Sequence, residues 1–169
     1  MDYFPHYETN TIDELAPGTC FAFRRSDQVH IGIAIRRYAS GETALIDLFH
    51  GHPDFDGAPG VVAGKDLTNQ QLLVIPEARI VLPVGREHIH VGFDGSHEPV
   101  GALFLVGGDL SLAAFLAPKV VRVYDVMDGK PAEGDRLLST WFSSWEIQQP
   151  GPNGDFRTIC RVQAKDYSL

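Results

Sequence analysis

The clearest alternation of apolar and polar positions lies in residues 17–50, PGTCFAFRRSDQVHIGIAIRRYASGETALIDLFH. Phe21 and Phe23 alternate with Cys20, Ala22 and Arg24. Val29, Ile31, Ile33 and Ile35 fall on one side of an extended segment, with His30, Gly32, Ala34 and Arg36 on the other. A period of two over this length predicts a strand. Ser26-Asp27 and Ala39 to Glu42 read as turns, and Gly41 supplies the positive φ that a tight turn needs. Ala44, Ile46 and Leu48 continue as a third strand. The expectation is a three-strand antiparallel meander over residues 19–49, whose apolar face another layer must cover.

The pattern upstream is short. Thr11 followed by Glu14 resembles a capping box on one helical turn, stopped by Pro17-Gly18. Downstream, residues 50–66 (HGHPDFDGAPGVVAGKD) form a long loop rich in Gly, Pro and Asp, and long ordered loops are often functional. Leu67 to Pro76 allows a short helix or turn before a strand. Ala78 to Val84 and Glu87 to Phe93 read as strands, the second with Ile89, Val91 and Phe93 on one side and His88 and His90 on the other. Gly101 to Gly107 is a continuous apolar run, as in a strand buried on both faces. Asp109 to Ala117 reads as a short helix with Asp109 as N-cap and Pro118 as stop. Lys119 to Val126 and Phe156 to Gln163 are further strands. Trp141 and Trp145 are four apart, as on a helical face, while the Ser/Thr-rich surroundings favour an extended segment. The expected fold is one domain over residues 1–169, α+β and mainly antiparallel β: a sheet or partly open barrel with one or two short helices. Residues 1–16 would form an acidic N-terminal arm and residues 17–169 the β-rich body.

Composition narrows the partners. The 169 residues carry 22 acidic and 14 basic side chains, a net charge of −8. Such a surface repels phosphates, which disfavours nucleic acid, and attracts basic proteins, though solubility is the plainer account of the charge. No run approaches ~18 apolar residues, so no membrane helix is expected. The N-terminus lacks a basic n-region and an apolar h-region, which makes the cytoplasm the expected compartment. Cys20 and Cys160 belong to no CxxC pair and are expected to act as small apolar residues without a disulfide.

Histidines supply the candidate chemistry. His88 and His90, two apart on a strand, would point the same way and could hold a transition metal. His50 and His52, followed by Asp54, open like the metallo-β-lactamase ligand run, but Phe55 stands where that run needs histidine. The cupin pattern also uses a strand HxH, with a nearby Glu and a later His; here Glu98 is distant and no histidine follows His97. A cupin-like metal enzyme using His88 and His90 is therefore the alternative reading, and solvated histidine pairs the plainer one. Gly107-Gly108-Asp109 before the expected helix could bind an anion, though a plain turn explains it. Arg24-Arg25 and Arg36-Arg37 could hold an anion, though pairing with the acidic arm is the plainer account. There is no GxSxG, Walker loop or GxGxxG, so no catalytic residue and no cofactor is expected.

The run Gly18-Thr19-Cys20-Phe21-Ala22-Phe23, then VHIGIAIRR, then ALIDLF, resembles the N-terminal half of the immunity protein 26 family. The resemblance covers residues 15–50 best and extends loosely to about residue 110. Members of that family are small cytosolic proteins encoded beside bacterial polymorphic toxins, which they neutralise by binding. The resemblance implies a non-enzymatic binding protein whose partner is a cognate, basic toxin. It carries no catalytic residues. Contact candidates are the loop Asp54, Phe55 and Asp56, an aromatic anchor flanked by charge, and the acidic loop Asp128, Glu133 and Asp135.

Overall fold

A computed structural model describes residues 8–25, 27–36, 42–49, 57–92, 99–132 and 139–165. The chain opens with Thr9–Asn10 (β1), followed by Cys20–Arg25 (β2), Gln28–Arg36 (β3) and Thr43–Asp47 (β4). The last three are the expected meander. β2 pairs antiparallel with β3, setting Cys20 opposite Ile33 and Phe23 opposite His30. β3 pairs antiparallel with β4, setting Ile33 opposite Ile46 and Gly32 opposite Asp47. Gly60–Ala63 (β5) lines up on β4, and Leu72–Val74 (β6) on the free side of β2, with β1 outside it.

The remaining strands are Arg79–Val81 (β7), Ile89–Val91 (β8), Leu103–Val106 (β9), Asp109–Ala117 (β10), Val120–Asp125 (β11), Thr140–Phe142 (β12), Ser144–Pro150 (β13) and Phe156–Gln163 (β14). Eleven strands share one mixed sheet, in the order β1-β6-β2-β3-β4-β5-β10-β9-β12-β8, with β11 on the other side of β10. β5 and β10 are parallel, through Phe115 opposite Gly60; the other pairings are antiparallel. A second sheet holds β14, β13 and β7.

The helical part of the α+β expectation is corrected. Asp109–Ala117 is a strand, paired with β9 over Asp109 to Leu112 and with β11 from Ser111 to Ala117. Its Leu/Ala content suits a helix, but partners on both edges and burial from Ser111 to Phe115 override a weak local preference. Gly107 and Gly108, both at positive φ, turn β9 back into β10, so no helix N-terminus exists there to hold an anion. Among the described residues, helix is confined to three-residue 3-10 turns at Ile12–Glu14, Gly64–Asp66 and Arg86–His88. Trp141 and Trp145 lie on two strands, and the chain leaves the large sheet for the small one at Ser143.

Both faces of the meander are covered, where the alternation alone suggests one. Cys20, Ile33, Ile35, Ala44, Ile46 and Leu48 pack under Trp145, Ile147, Cys160 and Val162 of the small sheet. Phe21, Phe23, Ala34 and Leu45 pack against Ile12, Leu15, Leu67 and Leu72. Each such aliphatic or aromatic side chain contributes about 1.5–3 kcal/mol on burial. The arm thus joins the core through the side chains of Ile12 and Leu15. The Glu14 half of the capping box is made, with the Thr11 N–H and hydroxyl donating to Glu14 Oε2 at 2.7 and 3.0 Å, while the Glu14 N–H closes the turn on the Thr11 carbonyl at 3.1 Å. Those contacts to Thr11 hold the Glu14 carboxyl below the usual carboxylate range.

Candidate functional site

β11 ends in a hairpin that concentrates acidic groups at the surface. Asp125 Oδ1 accepts the Met127 N–H at 2.7 Å and the Asp128 N–H at 3.0 Å. The chain then returns, with the Asp125 N–H donating to the Lys130 carbonyl and the Ala132 N–H to the Val123 carbonyl, both at 2.8 Å. Asp128 pairs with the Lys130 ammonium at 2.8 Å and accepts the Lys130 backbone N–H at 2.9 Å. The side-chain hydrogen bond to Lys130 is the main reason the Asp128 carboxyl sits below its ordinary range, and it raises the Lys130 ammonium in turn.

Glycine fixes this hairpin to the meander. Gly129 lies at φ +68°, and a Cβ there would come 2.7 Å from the Ile35 Cα. Its carbonyl accepts the Arg36 N–H at 3.0 Å. Only a residue without a side chain allows that approach. The acidic turn is therefore held against β3.

Beside the hairpin, the strand register builds a concavity of about 310 Å³. Ser111 on β10 stands opposite Asp125 on β11 and Phe104 on β9. Asp109 is two residues before Ser111 and so shares its face. Asp109, Ser111, Asp125, Asp128 and Lys130 supply the polar lining, and Val106, Pro131 and Ala132 the apolar part. Three carboxylates against one ammonium give it a negative field. The same cross-strand row continues from Phe104 to Trp141 and His90, where the imidazole stacks on the indole at 4.0 Å between centroids.

Of the contact residues expected from sequence, Asp128 lies on this rim, its side chain half exposed. Asp54, Phe55, Asp56, Glu133 and Asp135 lie outside the described residues, as do His50 and His52. The histidine pair at 88 and 90 is not a strand pair. His88 belongs to the 3-10 turn Arg86–His88, and β8 starts at Ile89. His88 lines a separate cleft with Val81 to Val84, Ser144 and Glu146, while His90 Nε2 lies 3.2 Å from Ser143 Oγ. The turn that follows Gly85 closes with the His88 N–H donating to the Gly85 carbonyl at 3.2 Å, so the strand starts only at Ile89. Among the described residues, no group of three His, Cys, Asp or Glu side chains could hold a metal ion.

Sequence reasoning missed Asp109 and Ser111, because a helix reading separates them from Asp125. It also missed the pairing of His30 with Asp47, which are buried on adjacent strands. Arg24 and Arg25 pair with acids outside the acidic arm: Arg24 with Asp27 at 2.8 Å and Arg25 with Asp47 at 3.5 Å. Cys20 and Cys160 are free, buried thiols. No helix among the described residues is long and apolar enough to cross a membrane.

No protein-family model, no curated protein and no solved structure matches the chain.

Proposed function

We propose that this is a non-enzymatic, cytoplasmic binding protein that neutralises a cognate basic toxin by direct contact, as an immunity protein. The resemblance of residues 15–50 to the immunity protein 26 family carries the reading. Two further observations support it. The net charge of −8 suits a basic partner and speeds its encounter. The hairpin bearing Asp128 gathers acidic groups around a concavity instead of scattering them. In this mechanism the acidic surface steers the toxin, and a few anchors then hold it so that its active site is occluded.

Co-expression with the product of the neighbouring gene tests the function directly. Protection of the host cell and co-purification of the two chains are expected. Absence of both rejects the assignment.

A further inference from the structure

We infer that the concavity between β9, β10 and the 125–131 hairpin is a socket for an arginine side chain presented by a protein partner. The partner as source rests on the binding-protein reading above; the socket rests on its own geometry.

Ser111 carries the argument. It is only 2% exposed, lines the concavity, and its hydroxyl takes part in no hydrogen bond among the described residues. Among the described residues, every fully enclosed side-chain polar atom does have a partner. The Ser111 hydroxyl therefore opens into the concavity. A buried hydroxyl is normally satisfied, so one open toward a lined space can take a ligand group in place of water.

The neighbours define that group. Asp109 makes no ion pair among the described residues, and Asp125 uses only Oδ1 on the backbone of its own turn. Asp128 is already neutralised by Lys130. Free acceptors thus remain on Asp109, Ser111 and Asp125, and all share one face of the sheet. Anions are repelled by this set. A metal ion needs ligands converging on one point, and no described trio does so. A guanidinium spreads five N–H donors over a plane and suits several separate acceptors. Val106, Pro131 and Ala132 would cover the methylene stem behind it. A volume of about 310 Å³ fits one long side chain; drug-sized ligands need roughly 300–1,000 Å³.

The probe is the blocked peptide acetyl-Gly-Gly-Arg-Gly-Gly-amide, titrated into the ¹⁵N-labelled full chain and read by amide chemical shifts. Saturable shifts are expected at Asp109, Ser111, Asp125 and their neighbours. The same peptide with citrulline, the neutral isostere of arginine, should produce none. Asp109→Asn, at an exposed position, should weaken binding about fivefold, and Ser111→Ala about threefold, each with the distant amide spectrum unchanged. N-acetylarginine, whose free carboxylate the acids repel with no α-ammonium to offset it, should bind at least about tenfold more weakly than the peptide. Equal binding of the citrulline peptide, or no saturable shift with the arginine peptide, overturns the socket. Equal affinity for N-acetylarginine overturns a partner side chain as its occupant. The two readings fail separately. Protection by Asp109→Asn at wild-type strength removes the socket from the interface and leaves the immunity role, whereas peptide binding without protection keeps the socket and removes the toxin.

Discussion

The His30 imidazole and the Asp47 carboxylate meet inside the sheet, with Nδ1 at 2.9 Å from Oδ2 and 3.0 Å from Oδ1. Asp47 is fully buried. It also accepts the Phe49 N–H at 3.1 Å and faces the Arg25 guanidinium at 3.5 Å. His30 in turn lies against Phe23, with centroids 5.5 Å apart. One carboxylate therefore ties β2 and β3 to the end of β4. A buried charge persists only when paired and hydrogen-bonded, and here each partner comes from a different segment.

Asp47→Ala should cost about 3–5 kcal/mol, because His30, Arg25 and the Phe49 amide all lose their acceptor. The double variant His30→Leu/Asp47→Ala should recover part of that loss, since it leaves fewer buried polar groups unpaired. Denaturant unfolding measures both. A loss below about 1 kcal/mol for Asp47→Ala would contradict the pairing.

Ile33→Asp should be among the most damaging single changes. Ile33 is buried between Cys20 and Ile46 and lies under the small sheet. A carboxylate there has no partner, and a loss of about 4 kcal/mol or more is expected. Thermal unfolding reads it, and a melting temperature close to wild type would show that the face is not buried.

Trp145→Phe keeps most of the buried volume and removes one donor. The Trp145 Nε1–H donates to the Gly101 carbonyl at 2.7 Å, within the core. Leaving that carbonyl unpaired should cost about 1–3 kcal/mol. Trp141→Phe should cost less, because Trp141 is only partly buried and its bond to the Gly92 carbonyl is longer, at 3.2 Å. The reverse order by chemical denaturation would refute the assignment of Trp145 to the core.

Strand alternation made the meander legible, since Ile31, Ile33 and Ile35 cannot share a side in any helix. The closing strand Phe156–Gln163 was equally readable. What sequence could not show was pairing across long separations. Ser111 meets Asp125 only because β10 and β11 form a hairpin, and a helix reading of Leu110 to Ala117 hides that register. Nor could periodicity reveal the second cover of the meander. Ile12 and Leu15 lie in a segment too short and acidic to signal a core, yet they pack onto Phe21 and Phe23. His88 lies off the strand for a local reason: residues 86–88 close a 3-10 turn, so β8 starts at Ile89, two residues after the Glu87 that the alternation suggests, and the period of two that would set His88 beside His90 does not reach it.

The two thiols give stability a defined dependence on alkaline pH. Burial pushes Cys20 up to about 12, and burial, with help from Cys20 and the Asp47 charge, does the same for Cys160. Their ordinary value is 9.0. Above that pH the unfolded chain releases thiol protons that the folded chain retains. The unfolded state then binds fewer protons, so stability falls as pH rises. The contribution is fully present below pH 9 and declines toward pH 12, by at most about 1.4 kcal/mol per pH unit for each thiol. Lysine and tyrosine also titrate in this window, so the comparison is with Cys20→Ala/Cys160→Ala. That variant should be less stable at pH 7.5 but lose less stability than wild type between pH 9 and 10.5. In the native wild type at pH 8, a thiol-reactive dye should label neither cysteine over the time in which it labels both after unfolding. Rapid native labelling, or parallel pH profiles for the two proteins, would mean that the thiols ionise as they do in water, and the shared core of the meander and the small sheet could not then be closed around them.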